Sequence, residues 1–284
     1  MSMAAVETQM VGDRISKRNF EKLAQFIYDY SGIKMPSTKL TMLEGRLRRR
    51  LRATNHATFD GYCDFLFHED GLEQETVYLI DAVTTNKTDF FREARHFEYM
   101  QQVALPALAG NGVRTIRTWS SACSTGAEPY TMAMVLEEFT GDRRDLNYSI
   151  LATDLSTDVL ATARRGIYAE DMIHPVPRDL QRKYVMVAKK ADRREVRISA
   201  ALRSRVGFAR MNLMDESYPV GEGMHMIFCR NVLIYFDKPT QSAVLKRLCA
   251  RLLPGGYMFI GHSESITGID LPLKQVSNTV FQRI

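Results

Sequence analysis

The chain has 284 residues, a formal net charge of +5, 45% hydrophobic residues and 25% charged residues, the make-up of one large or two modest globular domains. No run approaches the eighteen or so consecutive apolar residues of a membrane span, and the N-terminal stretch lacks the basic-then-apolar order of a signal peptide. Four scattered cysteines without a CxxC pair and six histidines without ligand spacing argue against a disulfide framework and a zinc site, which leaves a reducing cytosol and, from the charge, an acidic partner as expectations.

Residues 1–13 read as a loose tail. Ser16 is placed to cap a helix whose Phe20, Leu23, Ile27 and Tyr30 form one apolar stripe and which Gly32 ends. A second helix carries Leu40, Leu43, Leu47 and Leu51. Thr58 caps a third with Phe59, Tyr62 and Leu66, and a fourth carries Leu72, Thr76, Leu79 and Val83. Short connections and no strand pattern make 14–83 an all-α domain. Its second helix crowds Arg46, Arg48, Arg49, Arg50 and Arg52 into two turns. Such a run is either a solvated face or a docking surface, and arginine forks suit carboxylates and phosphates alike. No aromatic residues interleave them, which weakens base stacking.

The linker, residues 84–95, sets polar Thr84, Thr85, Asn86 and Thr88 against Phe90 and Phe91, followed by Arg92. The phenylalanines either staple two domains together or belong to a segment lining a cleft, where ligands tend to bind. After a helix over 96–108, Thr115 to Phe139 reads as strand, tight turn and helix. Thr115, Ile116, Thr118 and Trp119 suit a buried strand, Ser120 to Gly126 are small, and Pro129 fits a first helical turn. This is how a doubly wound α/β sheet presents a ligand site. A dinucleotide turn wants several glycines, whereas Gly126 is alone here and Glu128 sits where a pyrophosphate would lie. That carboxylate either complements the helix dipole or faces a cationic ligand, such as the amino and sulfonium groups of S-adenosylmethionine.

The next strand, Asn147 to Thr153, ends at Asp154, which either hydrogen-bonds a ribose or starts a helix cap. A helix over 157–165 is stopped by Gly166. Around 178–202 the pattern becomes a small antiparallel β-subdomain, with strands over 183–187 and 195–198 and a charged link between them, expected to contact a partner. Residues 205–211 return to the main sheet and deliver Asn212 and Leu213. Met224 to Cys229 is apolar, as a central parallel strand should be, and ends at Arg230 and Asn231, with Tyr235 and Phe236 beyond. A helix over 241–252, a Pro-Gly-Gly turn, a strand over 257–261 and a last hairpin strand over 274–284 complete the chain. The segment from Gly261 to Ser265 is similar to a GxSxG nucleophile elbow, but Ser265 replaces its closing glycine and the strand-to-helix context is missing, so a hydrolase is rejected.

Taken together, TTNKTDFFRE, WSSACSTGAEPYT, LATDLS, the Asn212–Leu213 pair, FCRNVLIYFD, LLPGG and GHSES closely resemble the bacterial chemotaxis receptor methyltransferases, the CheR family. The resemblance covers nearly the whole chain after the tail. It implies a class I S-adenosylmethionine-dependent methyltransferase fold over 96–284, preceded by the helical domain, and methylation of glutamate side chains on cytoplasmic chemoreceptor helices. By the same resemblance, Asn86, Thr88, Arg92, Glu128, Asp154, Asn212, Leu213, Arg230 and Asn231 contact the cofactor. Arg92 and Tyr235 serve the reaction, and Arg46 to Arg52 dock on the receptor. The implied protein is a monomer, bound neither to nucleic acid nor within the membrane, associating with receptor arrays from the cytoplasm. Family members that tether to a receptor C-terminal pentapeptide carry glycine in the β-subdomain loop. The equivalent link, 188–194, has none, which argues against tethering. The rivals are an RNA methyltransferase, suggested by the arginine helix, and a non-catalytic adaptor with the same fold.

Overall fold

A computed structural model describes residues 13–188, 193–221 and 223–284, so most of the tail and of the glycine-free link lies outside the described residues. The chain forms two compact units, one running to Thr85 and including Tyr235–Asp237, the other holding Asn86–Ile234 and Lys238–Ile284.

In the helical unit, α1 (Lys17–Ser31) starts where the Ser16 hydroxyl accepts from the Asn19 N–H and stops at Gly32, whose φ of 73° suits glycine. Helix α2 (Leu40–Ala53) buries Leu43, Leu47 and Leu51, α3 (Phe59–His68) is capped by Thr58, and α4 (Gly71–Val83) completes the core. The expected stripe on α4 is only half right. Leu79 and Val83 are buried, but the next inward position is taken by Glu75, which is held by Arg50 Nε and Nη2 at 2.6 and 2.8 Å and by the Tyr62 hydroxyl at 3.0 Å. A carboxylate on an apolar face breaks a periodicity argument unless its partner is known in advance. Asp13, assigned to the tail by sequence, also belongs here: its carboxylate accepts from the Phe59 N–H.

In the other unit a seven-stranded sheet has the order β6-β2-β1-β7-β8-β10-β9. Strands β1 (Thr115–Ser120), β2 (Asn147–Asp154), β6 (Val206–Arg210), β7 (Met224–Cys229) and β8 (Leu252–Ile260) run parallel. The closing hairpin β9 (Leu273–Ser277) and β10 (Val280–Arg283) runs antiparallel along β8. From β1 the chain winds outward to β2 and β6, then returns to β7 on the far side of β1. The carboxyl ends of β1 and β7 therefore mark the switch point where such sheets bind ligands. The core is aromatic at this point: Phe228 stacks on Phe259 with centroids 4.2 Å apart, and Trp119 is fully buried.

Before β1, helix α5 (Arg95–Tyr99) passes through a wide π turn (Met100–Ala104) into α6 (Leu105–Gly110), which accommodates Pro106 where a regular turn would clash. Helix α7 (Ala127–Thr140) follows β1, and α8 (Thr157–Arg165) follows β2. The small antiparallel sheet begins earlier than expected, with β3 (Ile167–Ala169). Its order is β3-β5-β4, with β4 (Val185–Val187) and β5 (Glu195–Ile198). Lys183 and Tyr184, read as strand, end helix α9 (Arg178–Tyr184). Helix α10 (Ala200–Arg203) leads to β6, and α11 (Lys238–Arg251) begins three residues before the sequence suggests. In the centre of the sheet, Ser120 of β1 lies opposite both Ala152 of β2 and Phe228 of β7.

Candidate active site

The turn after β1 is built by the sheet beneath it. The Ser121 N–H bonds the Phe228 carbonyl and the Cys123 N–H bonds the Thr153 carbonyl, so the loop is fastened to the strands on either side of β1. Gly126, at φ 92°, precedes α7, and a Cβ there would lie 2.9 Å from the Ala163 Cβ, so packing against α8 as well as backbone geometry demands glycine. The lone glycine of the turn thus serves helix packing. Ser124 adopts φ 50°, with its N–H on Asp154 Oδ2 at 2.7 Å and its hydroxyl on the Asn86 carbonyl at 2.8 Å. Asp154 Oδ1 also accepts from the Ser156 N–H, while Ser156 itself caps α8. Asp154 is therefore a clamp between two loops, half-exposed at the strand end.

Glu128, in the first turn of α7, accepts from the Ser120 hydroxyl at 2.6 Å and from Arg230 Nη1 at 2.9 Å. The Arg230 side chain, only 2% exposed, also reaches Glu93 Oε2 at 3.0 Å through Nη2, which donates to the Arg92 carbonyl as well. Glu93 Oε1 accepts from Asn231 Nδ2 at 3.1 Å and from the His262 N–H at 3.2 Å. Burial alone would raise the Glu93 carboxyl, but the Arg230 charge and these hydrogen bonds outweigh it and hold it at about 2. Behind it, Glu264 bonds the N–H groups of Gly261, Asn231 and Leu233 at 2.6, 3.0 and 2.7 Å, and burial nonetheless raises its carboxyl.

These contacts bear on two sequence assignments. The Arg230 guanidinium donates to two carboxylates and a carbonyl. Of the arginine run, Arg50 is spent on Glu75, and Arg46 donates to the Val83 and Thr84 carbonyls at 2.5 and 2.7 Å. Arg48 reaches the Asp13 carbonyl and lies 5.5 Å from the Phe59 ring, leaving Arg49 and Arg52 as the exposed members.

Asn86 and Asp154 are thus joined through Ser124, and Arg92, Glu128, Arg230 and Asn231 through the Arg230–Glu93 pair, at the carboxyl edge of the sheet. Asn212 turns the chain after β6 by accepting the Met214 N–H, and it leaves Leu213 buried. Tyr235 falls in the helical unit, where its carbonyl accepts the Lys34 N–H and Lys39 lies 5.8 Å from its ring. Glu93 and Glu264 escaped the sequence reading. Glu93 closes the FFRE motif and Glu264 lies in GHSES, but nothing local distinguishes either from a solvated carboxylate. The fold also gathers Glu93, His96 and His262, with candidate ligand atoms within 4.8 Å of one another, which histidine spacing did not suggest. Arg230 already occupies Glu93 there, so the group is an ion-pair network. Burial holds His96 neutral and pushes it down to about 3.

Residues 18–84 match the family described as CheR methyltransferase, all-alpha domain, and residues 86–282 match CheR methyltransferase, SAM binding domain. The chain belongs to the CheR methyltransferase family. It is similar to the chemotaxis protein methyltransferase of Escherichia coli (37% identical, covering 94% of this chain and 91% of that one). It is also similar to those of Borreliella burgdorferi (38%; 89% and 90%) and Pseudomonas aeruginosa (chemotaxis protein methyltransferase 2; 35%; 94% and 93%). Its cofactor is S-adenosylmethionine, and the donor set fits that molecule. Two carboxylates, Glu128 in the first turn of α7 and Asp154 at the end of β2, suit a cationic amine and a ribose diol. The turn after β1 carries a single glycine, Gly126, and so no glycine cradle for a pyrophosphate.

Proposed function

We propose that this protein transfers a methyl group from S-adenosylmethionine to glutamate side chains on the cytoplasmic helices of chemotaxis receptors, forming glutamate 5-O-methyl esters. The observation that carries this reading is Glu128, fixed between Ser120 and Arg230 at the switch point, with Asp154 at the next strand end. The cofactor supplies a methyl group activated by its attachment to a sulfonium. A glutamate carboxylate has an ordinary pKa of about 4.3 and is already ionised at neutral pH, so no residue need act as a general base. What the chain contributes is alignment in a partly dry site. Glu128 and Asp154 hold the cofactor, and Arg92 orients the incoming carboxylate.

The surface offered to the acidic receptor helix is the face of α2 carrying Arg49 and Arg52, where arginine forks match carboxylates. The protein acts as a cytoplasmic monomer at receptor arrays. Among the described residues no helix is long and apolar enough to cross a membrane, and docking on the receptor does not require its terminal pentapeptide.

Tritiated methyl transfer from S-adenosylmethionine onto receptor-containing membranes tests the reading. Label released as methanol by mild alkali is expected, because esters give it and methylated amines do not. Base-stable label, or label in RNA with steep salt dependence, would overturn it.

A further inference from the structure

Around Arg92 and the end of β7, three non-glycine residues have left-handed backbones: Phe91 at φ 53°, Glu93 at 57° and Asn231 at 57°. For a bulky phenylalanine this is unusual, and such conformations persist only where their surroundings over-determine them. Two of the three flank Arg92. The third, Asn231, hydrogen-bonds Glu93 directly.

The fastenings converge on this short segment. Phe90 is fully buried, with its ring 5.0 Å from Tyr168, and the Phe91 N–H donates to the Thr131 hydroxyl at 3.2 Å. The Arg92 carbonyl accepts from Arg230 Nη2, which also holds Glu93, while Nη1 holds Glu128. Among the described residues Arg230 Nε is buried without a hydrogen-bond partner, so the guanidinium bridges these groups with an incomplete set of bonds. An arginine serving stability alone would gain by satisfying that donor.

We infer that Glu93 and Arg230 are positioning residues: their buried ion pair fixes the backbone of Arg92 to the carboxylate of Glu128, so that the substrate-facing arginine and the cofactor-facing acid move as one piece. Nothing in the family description assigns Glu93 a role. The inference rests on Arg92 serving the reaction as proposed above. Arg92 directs Nη1 to the Lys87 carbonyl at 3.0 Å, a bond within its own loop, so the main chain and not the side chain ties this residue to the sheet. Glu93 sits one residue away and takes three donors from two separate segments, the β7 end and the loop after β8. Loss of its charge removes the ion pair with Arg230 Nη2 and with it the compensation for the strained backbone.

The test is a double-mutant cycle on methyl transfer at saturating receptor and cofactor, with Glu93→Gln, Arg92→Ala and the pair. Glu93→Gln should lower the rate by roughly 10- to 100-fold, the scale of a misplaced catalytic group, while S-adenosylhomocysteine affinity stays within about twofold. In the Arg92→Ala background, Glu93→Gln should cost little more, because a positioning residue has nothing left to position. A merely structural Glu93 would give additive losses. Asn231→Gly, which tolerates the left-handed backbone and leaves the ion pair intact, should give a smaller, equally non-additive loss and serves if Glu93→Gln does not fold. Full activity in Glu93→Gln or in Asn231→Gly, or additive losses in the cycle, would overturn the inference. Unchanged turnover in Arg92→Ala alone would instead remove Arg92 from the reaction and take the underlying reading with it.

Discussion

Each unit is built around a buried arginine–glutamate pair, and the two pairs differ in what they join. Arg50 and Glu75 lie on neighbouring helices, α2 and α4, and the Tyr62 hydroxyl from α3 completes the set. Those backbones are regular, and the side chains are satisfied within the helical core. Arg230 joins carboxylates on α7 and on a strained loop, and leaves one of its own nitrogens unpaired. The same chemistry closes a core in one place and holds an irregular loop in the other. Good geometry with full satisfaction marks a device for stability. Strain with incomplete satisfaction marks a device for function.

Breaking the first pair should have the largest effect on folding. Glu75→Ala leaves Arg50 without its carboxylate and should cost about 3–5 kcal/mol in urea unfolding. A loss below about 1 kcal/mol would mean that Arg50 turns out to water and that the pair is not a core device.

The network around Glu93 should contribute a pH dependence to stability. His96 is neutral in the fold, at about 3, against about 6.5 when unfolded. Below pH 6.5 the unfolded chain takes up a proton that the folded one refuses. Stability is therefore complete above that value and falls toward pH 3, by at most about 1.4 kcal/mol per pH unit. His225, also depressed by burial, adds in the same direction. Unfolding followed at pH 7 and 5 should show the decline, and His96→Gln should flatten it. An unchanged slope in that variant would place the proton uptake elsewhere.

Asp154→Ala sharpens the comparison from the ligand side. Removal of a half-exposed carboxylate that clamps Ser124 should weaken S-adenosylhomocysteine by about 1–3 kcal/mol in calorimetry, with little change in stability. The smallest effects belong to the exposed face of α2. Arg49→Ala with Arg52→Ala should raise the apparent Michaelis constant for receptor only several-fold, since exposed pairs are each worth under about 1 kcal/mol. Added salt should mimic the double variant. Substitution of Arg46 or Arg50 in such an experiment would confound docking with folding, because both are used inside the helical unit.

Much of this was legible in the sequence because local rules carried it. Ser16, Thr58 and Gly32 punctuate the helices, Gly126 and Pro129 mark the turn into α7, and the apolar run over Met224 to Cys229 is the central strand it suggests. The failures share a cause. Glu75 interrupts an apolar stripe because Arg50 waits for it two helices away. The ion pairs of Arg230 went unseen because its partners, Glu93 and Glu128, lie 137 and 102 residues distant in sequence. Strand β3 is three residues long and is defined only by pairing with β5. Long-range electrostatic pairing has no period, so neither composition nor spacing exposes it.

The most direct test of the distinction between the two pairs is to measure unfolding free energy and single-turnover methyl transfer on the same preparations of Glu75→Ala and Glu93→Gln. The account predicts a crossed pattern. Glu75→Ala should lose stability while its folded molecules turn over within about twofold of wild type, and Glu93→Gln should lose rate by roughly tenfold or more. If Glu75→Ala slows the chemistry as much as Glu93→Gln does, or if Glu93→Gln turns over at the wild-type rate, the two pairs do not divide the work in this way.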